Sequence, residues 1–272
     1  FVGRIAADEF VVILPGRTAE EADSIARRLH HTVSSECSIE GVVFAPSIST
    51  GISLFPDNGL DSETLLRHAG LAALQSKRRG RGQISFFSEH MNKALRERVS
   101  MESCLRDSVL SRELHLNFQP QIHLRDKGLY GVEALARWTH PQFGIVPPDR
   151  FIPLAEECGL IRDVSRLVVE EACRNLEEWR RQGIVVPSVS LNLSPSDFHS
   201  KELPEMLIRI LTRHSLKPTD LVIEITEGIL LDDSPATMET VMAVRKAGFR
   251  LSMDDFGTGY SSLSYLRRLP VT

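Results

Sequence analysis

The sequence predicts an α/β protein in which a small α/β domain precedes a larger, incomplete (β/α)8 TIM-like barrel. Three observations predict it. Short apolar runs alternate with amphipathic helical stretches along the 272 residues, the pattern of strands joined by helical crossovers. The later runs recur at βα spacing with no Gly-x-Gly-x-x-Gly turn after a strand, which favours a barrel over an open dinucleotide-binding sheet. A stretch from Ser88 to about Leu110 contains neither Gly nor Pro and separates the two regions.

Taken in order, Phe10 to Leu14 is a short apolar run ended by Pro15-Gly16 and reads as a buried strand. Thr18-Ala19-Glu20-Glu21 is a capping box, because the Thr hydroxyl and the Glu carboxylate can satisfy free N–H groups of a helix running to about Val33. Val42 to Leu54 is strand-rich, a second helix is expected over about Ser62 to Lys77, and a short strand at Ile84 to Phe87. Met91, Leu95, Val99, Met101, Leu105 and Val109 recur near helical spacing, so residues 88–110 should form one linking helix. The division expected is therefore 1–87, a helix over 88–110, and 111–272.

In the second region the strand candidates are Leu114–Ile122, Leu129–Arg137, Ser188–Leu193, Leu221–Ile225 and Arg250–Asp254. Amphipathic helices at about Ile161–Arg181, Leu203–His214 and Ser234–Lys246 lie between the later ones, which implies a parallel sheet.

Composition narrows the function classes. A net charge of −4 gives no basic surplus for a nucleic-acid polymer, and Lys77-Arg78-Arg79-Gly80-Arg81 reads as a solvated loop. Cys37, Cys104, Cys158 and Cys173 form no C-x-x-C pair, which fits reduced thiols and a cytoplasmic protein. No apolar run approaches the ~20 residues of a membrane helix, and no stretch reads as a signal peptide. The chain opens at Phe1-Val2-Gly3-Arg4 and closes at Pro270-Val271-Thr272, so it reads as an internal piece of a longer protein.

Oxygen-bearing residues gather on the strands. Glu133, Asn192, Glu224 and the pair Asp254-Asp255 sit in or at the end of four different apolar runs. A buried carboxylate is costly unless paired or bound to a metal, and barrel strands bring their C-terminal ends to a common mouth. A ligand set of carboxylates and one amide suits Mg²⁺ or Mn²⁺ rather than zinc. Asp254-Asp255 could bridge two ions roughly 3.5–4 Å apart, the usual arrangement for splitting a phosphodiester. Phe256-Gly257-Thr258-Gly259-Tyr260-Ser261-Ser262 then reads as a loop beside that site. Other features have plain explanations. His30-His31 reads as surface, Trp138 and Trp179 as packing, and Glu170, Glu171, Glu177 and Glu178 as the wet face of a helix. Asp232-Asp233 reads as capping before a helix at Ser234.

Gly131-Val132-Glu133-Ala134-Leu135-Ala136-Arg137-Trp138 closely resembles the signature of EAL-domain cyclic-di-GMP phosphodiesterases. Gln119-Pro120 before it and Phe151-Ile152-Pro153-Leu154-Ala155-Glu156 after it fit the same family. Leu191-Asn192-Leu193-Ser194, Glu224-Ile225-Thr226-Glu227 and Asp254-Asp255-Phe256-Gly257-Thr258-Gly259 follow in the family's order, from about residue 110 to the end. The resemblance implies that Glu133, Asn192, Glu224 and Asp254 hold one metal ion and Asp255 a second, with Glu133, Asp254, Asp255 and Glu227 as the catalytic set. Glu227 would steady the Asp-Asp-Phe-Gly loop, while Gln119, Leu135 and Arg137 would contact the substrate, Arg137 at a phosphate. The implied reaction is hydrolysis of cyclic di-GMP to linear pGpG by a homodimer, in second-messenger signalling such as biofilm regulation. The family's later lysine, glutamate and glutamine would lie beyond Thr272, so this stretch alone is not expected to turn over. A receptor that binds cyclic di-GMP without cutting it is the alternative, and a hydrolase for another phosphodiester a third.

Arg4-Ile5-Ala6-Ala7-Asp8-Glu9-Phe10 and Lys77-Arg78-Arg79-Gly80-Arg81-Gly82 resemble the motifs of diguanylate cyclases (GGDEF domains), over the C-terminal half of such a domain. Ala6 and Ala7 put methyl groups where the family's turn has glycines, so a silent regulatory domain is expected. Asp8 and Glu9 keep their carboxylates, which leaves metal or GTP binding open.

Overall fold

The computed structural model of the protein describes residues 1–39, 42–226, 229 and 234–254. The chain divides into two compact units, Phe1–Val99 and Ser100–Thr272. In the first unit β1 (Val2–Arg4) and β2 (Phe10–Val12) form an antiparallel hairpin. The Ala6–Glu9 segment closes it, and Arg4 donates to the carbonyls of Ala6 (3.2 Å) and Ala7 (2.6 Å). Asp8 and Glu9 are exposed on this turn. α1 (Ala19–Val33) begins at the expected capping box, with Thr18 N–H donating to Glu21 Oε2 (2.8 Å) and Glu21 N–H to Thr18 Oγ1 (3.3 Å). β3 (Cys37–Ile39) pairs antiparallel with β4 (Val42–Phe44), and β5 (Thr50–Ile52) parallel with β6 (Ile84–Phe86).

α2 (Ser62–Arg78) lies directly on β5, because Gly51 has no side chain. A Cβ there would lie 2.0 Å from the Ala69 carbonyl oxygen and 2.1 Å from the Ala73 nitrogen. The run around Phe10 is shorter than expected and is not buried: Phe10 is 63% exposed and Ile13 52%. Its only strand partner among the described residues is β1, and two short strands cannot cover their own apolar side chains.

α3 (Glu89–Leu110) runs continuously through the division between the units. In the second unit β7 (His115–Ile122) and β8 (Leu129–His140) form an antiparallel hairpin. Its connection of residues 123–128 is too short for the helical crossover that parallel pairing needs. β9 (Gly144–Val146) folds back on β8 antiparallel, and α4 (Pro148–Glu157) follows with Pro148 at its first turn. Then come α5 (Ile161–Arg181), β10 (Val189–Leu193), α6 (Pro195–Phe198) and α7 (Leu203–Arg213). β11 (Leu221–Thr226), α8 (Pro235–Lys246) and β12 (Arg250–Asp254) complete the described order. The sheet order is β12-β11-β10-β8-β7, with β8, β10, β11 and β12 mutually parallel. Strand–helix alternation around a parallel sheet is the α/β architecture expected. The expected helix start at Ser234 becomes the N-cap position of α8, whereas Asp232 and Asp233 lie outside the described residues.

One face of this sheet is the core. Val132, Ala134 and Trp138 of β8 join Val189, Leu191 and Leu193 of β10, Leu221, Ile223 and Ile225 of β11, and Leu251 of β12. Val168, Val169, Ala172, Cys173 and Leu176 of α5, with Leu207, Ile210 and Leu211 of α7, cover them. Trp138 is fully buried, with the Phe151 ring edge-on at 6.0 Å, and so packs as expected. No helix among the described residues is long and apolar enough to cross a membrane.

The turn after β10 is held by a buried acid. Asp197, 2% exposed, accepts from Ser194 N–H (3.0 Å) and from Ser165 Oγ of α5 (2.7 Å). Burial pushes its carboxyl up to about 6, against the pull of those two hydrogen bonds.

Two outcomes follow. Gly51→Ala should destabilise the first unit by about 1–3 kcal/mol or more, since backbone rather than a side-chain tip blocks the methyl; denaturant unfolding measures it. For Asp197, the folded carboxyl keeps its proton to higher pH than the unfolded one. Its contribution is therefore full below the ordinary value of 3.8 and is lost as pH rises through about 6. Asp197→Asn should flatten that slope in urea midpoints measured across this range.

Candidate metal centre

The face of the sheet opposite the core carries the polar residues. Side chains alternate along a strand, so Glu133, Leu135 and Arg137 share one face of β8 while Val132, Ala134 and Trp138 take the other. By the same rule Gln119 and Gln121 of β7 share the face of Glu133, through the registers Gln119–Glu133 and Gln121–Gly131. Ser190 lies opposite Glu133, Asn192 opposite Glu224, and Thr226 opposite Asp254. Crossing from β8 to β12, the polar positions therefore climb along the strands. Strand tilt in a barrel has this effect, since residues level with one another about the axis are staggered along their strands.

The stagger brings the acids together. Carboxylate oxygens of Glu133, Glu224 and Asp254 all lie within 4.8 Å of one another. Asn192 Nδ2 donates to Glu133 Oε1 at 2.8 Å, which joins the amide to the group. Glu224 is 8% exposed, Glu133 half-buried, and Asn192 and Asp254 exposed. Like charges at this spacing repel by on the order of 1–4 kcal/mol per pair, between bulk-water and protein-surface screening. Burial first, then the charge of Glu133 and that of Asp254, raise the Glu224 carboxyl above its ordinary value. The Ser190 hydroxyl and the Gln121 amide beside it oppose the rise. A cluster of hard oxygen donors, one of them forced toward neutrality without a counter-charge, fits a hard divalent cation.

The structure thus brings together four of the residues expected from sequence: Glu133, Asn192, Glu224 and Asp254. Gln119 is exposed on β7, opposite Glu133. Leu135 and Arg137 are half-buried beyond Glu133 on the same face, and Arg137 Nη1 donates to the Ala136 carbonyl at 2.9 Å. Asp255, Glu227 and the Phe256–Ser262 loop lie outside the described residues. Sequence reasoning missed Gln121 and Ser190. The available signal was their spacing, two residues from Gln119 and Asn192 respectively, which puts each on the polar face.

Removing the buried charge should expose this conflict. A raised carboxyl lowers native stability as pH rises through its folded value. Glu224→Gln should therefore raise the thermal midpoint of the metal-free protein at pH 7. Mn²⁺ at about 100 times its dissociation constant should stabilise the wild type by about 2.7 kcal/mol and the variant hardly at all. Thermal melts with EDTA and with Mn²⁺ check both expectations.

The family model described as EAL domain matches residues 102–272, and the one described as diguanylate cyclase, GGDEF domain, matches residues 1–83. The bifunctional diguanylate cyclase/cyclic di-GMP phosphodiesterase MucR of Pseudomonas aeruginosa is 36% identical over 271 residues, covering 100% of this chain and 40% of MucR. The oxygen sensor protein DosP of Escherichia coli is 38% identical over 272 residues, covering 100% of this chain and 34% of DosP. The chain thus spans well under half the length of these curated relatives. A solved structure of the MucR phosphodiesterase in complex with c-di-GMP superposes with a TM-score of 0.58 at 40% identity, over 62% of this chain and 68% of that one. With the EAL model matching well over half of its residues, the chain belongs to the EAL-domain family.

Proposed function

We propose that the full-length protein hydrolyses cyclic di-GMP to linear pGpG at the acidic face of its EAL domain. The observation that carries this reading is the convergence of Glu133, Glu224 and Asp254 within 4.8 Å, with Asn192 bonded to Glu133, in a chain of that family. The names of MucR and of its ligand complex point to the same substrate. Glu133, Asn192, Glu224 and Asp254 would hold one divalent ion, Mg²⁺ or Mn²⁺, and Asp255 would help hold a second. Such ions neutralise phosphate charge and acidify a water for in-line attack on phosphorus.

The chain's own residues do the rest. Arg137 would orient a phosphate by charge-assisted hydrogen bonds, and Gln119 and Leu135 would line the nucleotide. Glu227 would brace the Asp254–Gly259 loop. In the reaction one phosphodiester P–O bond breaks, its oxygen leaves as a hydroxyl, and water supplies the new oxygen on phosphorus. Residues 1–87 would regulate without cyclase activity, because Ala6 and Ala7 place methyl groups in the Arg4–Phe10 turn. GTP at Asp8 and Glu9, a homodimer, and a cytoplasmic location for a protein with four free cysteines belong to the same reading.

Chromatography of nucleotides after incubating the full-length protein with cyclic di-GMP and Mg²⁺ or Mn²⁺ tests it. The wild type should release pGpG, and Glu133→Ala should lower the rate by about 100-fold or more, equivalent to about 2.7 kcal/mol. Binding without product would make the domain a receptor, and neither binding nor product would sink the assignment. Arg137→Ala should raise KM about 10-fold, the worth of one lost charge-assisted hydrogen bond, with a smaller change in kcat.

A further inference from the structure

We infer that Gln121, itself held by Ser190, is a positioning residue that orients Glu224 for the divalent cation. The inference rests on the proposed phosphodiesterase reading and extends it to a residue outside the ligand set. Gln121 sits near the end of β7, three places away from β11 in the sheet order. Flat-sheet geometry would separate these strands by about 14 Å, at ~4.8 Å per strand. Yet Gln121 Nε2 lies 3.4 Å from Glu224 Oε1. The side chain therefore reaches across the curled polar face, and curvature is what makes the contact.

A glycine lies beside this path. Gln121 lies opposite Gly131, immediately before Val132-Glu133. A Cβ at Gly131 would lie 3.5 Å from Gln121 Oε1 and 2.8 Å from both the carbonyl and the hydroxyl oxygen of Ser188. The two Ser188 oxygens are what exclude a side chain at this position, and the Gln121 amide oxygen lies at ordinary contact distance from it.

The amide's direction is set as well. Ser190 Oγ, in a residue 2% exposed, donates to Gln121 Oε1 at 3.2 Å. With its oxygen engaged there, the amide presents its N–H₂ end to Glu224. A primary amide meets both demands at once, accepting from a hydroxyl and donating to a carboxylate. Leucine could do neither, and glutamate would add a fourth negative charge beside three. Metal-ligating carboxylates are commonly held by such outer hydrogen bonds, and losing one typically weakens metal binding about 10–100-fold.

The test is Mn²⁺ binding by calorimetric titration to the full-length protein, its Gln121→Leu and Ser190→Ala variants, and Glu133→Ala as the control that removes a ligand. Gln121→Leu should raise the Mn²⁺ dissociation constant about 10-fold or more. Its metal-free thermal midpoint should stay close to wild type, and its KM for cyclic di-GMP at saturating Mn²⁺ should be nearly unchanged. Ser190→Ala should shift Mn²⁺ binding in the same direction by less, and Ser190→Thr, which keeps the hydroxyl, should restore it. Should Gln121→Leu fail to fold, the Ser190 pair carries the same comparison. Wild-type Mn²⁺ affinity in Gln121→Leu or in Ser190→Ala, with binding lost in Glu133→Ala, would overturn the inference and leave the phosphodiesterase reading standing. Absence of Mn²⁺ binding by the wild type would overturn both.

Discussion

Mutual repulsion among Glu133, Glu224 and Asp254 is the constraint on which the second unit depends. Three carboxylates within 4.8 Å would move apart on any scaffold free to let them. Here they cannot, because each is fixed to a strand whose other face is locked in the core. Val132 and Ala134 flank Glu133, Ile223 and Ile225 flank Glu224, and all four are buried. Spreading the acids would mean sliding strands and flipping that apolar set, since a shift of one residue reverses every side chain. The burial energy of the core thus maintains the electrostatic conflict that a cation would resolve.

This arrangement also accounts for an oddity of the strands. Parallel sheets covered on both faces usually read as unbroken apolar runs. β8, β10 and β11 instead alternate, apolar toward the helices and Glu133, Ser190, Asn192 and Glu224 on the other face. A polar inner face is costly unless its groups find partners. Asn192 pairs with Glu133, Ser190 with Gln121, and Gln121 with Glu224. These bonds gather the face into two hydrogen-bonded groups, Asn192 with Glu133 and Ser190 through Gln121 to Glu224.

The first unit shows the opposite economy. Its hairpin turn keeps Asp8 and Glu9 exposed, and Arg4 is spent on the carbonyls of Ala6 and Ala7. The precise fit lies elsewhere in that unit, where Gly51 lets α2 rest on β5 and His30 Nε2 meets Thr50 Oγ1 at 2.8 Å. Packing is thus tight around β5, while the turn holds two carboxylates in solvent.

Sequence alone determined the elements and the residue types at the site. α5 occupies Ile161–Arg181 as its 3.6-residue periodicity requires, and the capping box before α1 closes as its Thr and Glu predict, because both signals are local. The ordered motifs named Glu133, Asn192, Glu224 and Asp254 for the same reason. Tertiary structure decided the rest. The exposure of Phe10 depends on what packs over a strand, and periodicity carries no information about that. Gln121 reaches Glu224 only through the curl of a sheet that puts two strands, β8 and β10, between positions 103 residues apart in the chain, a distance no local pattern encodes.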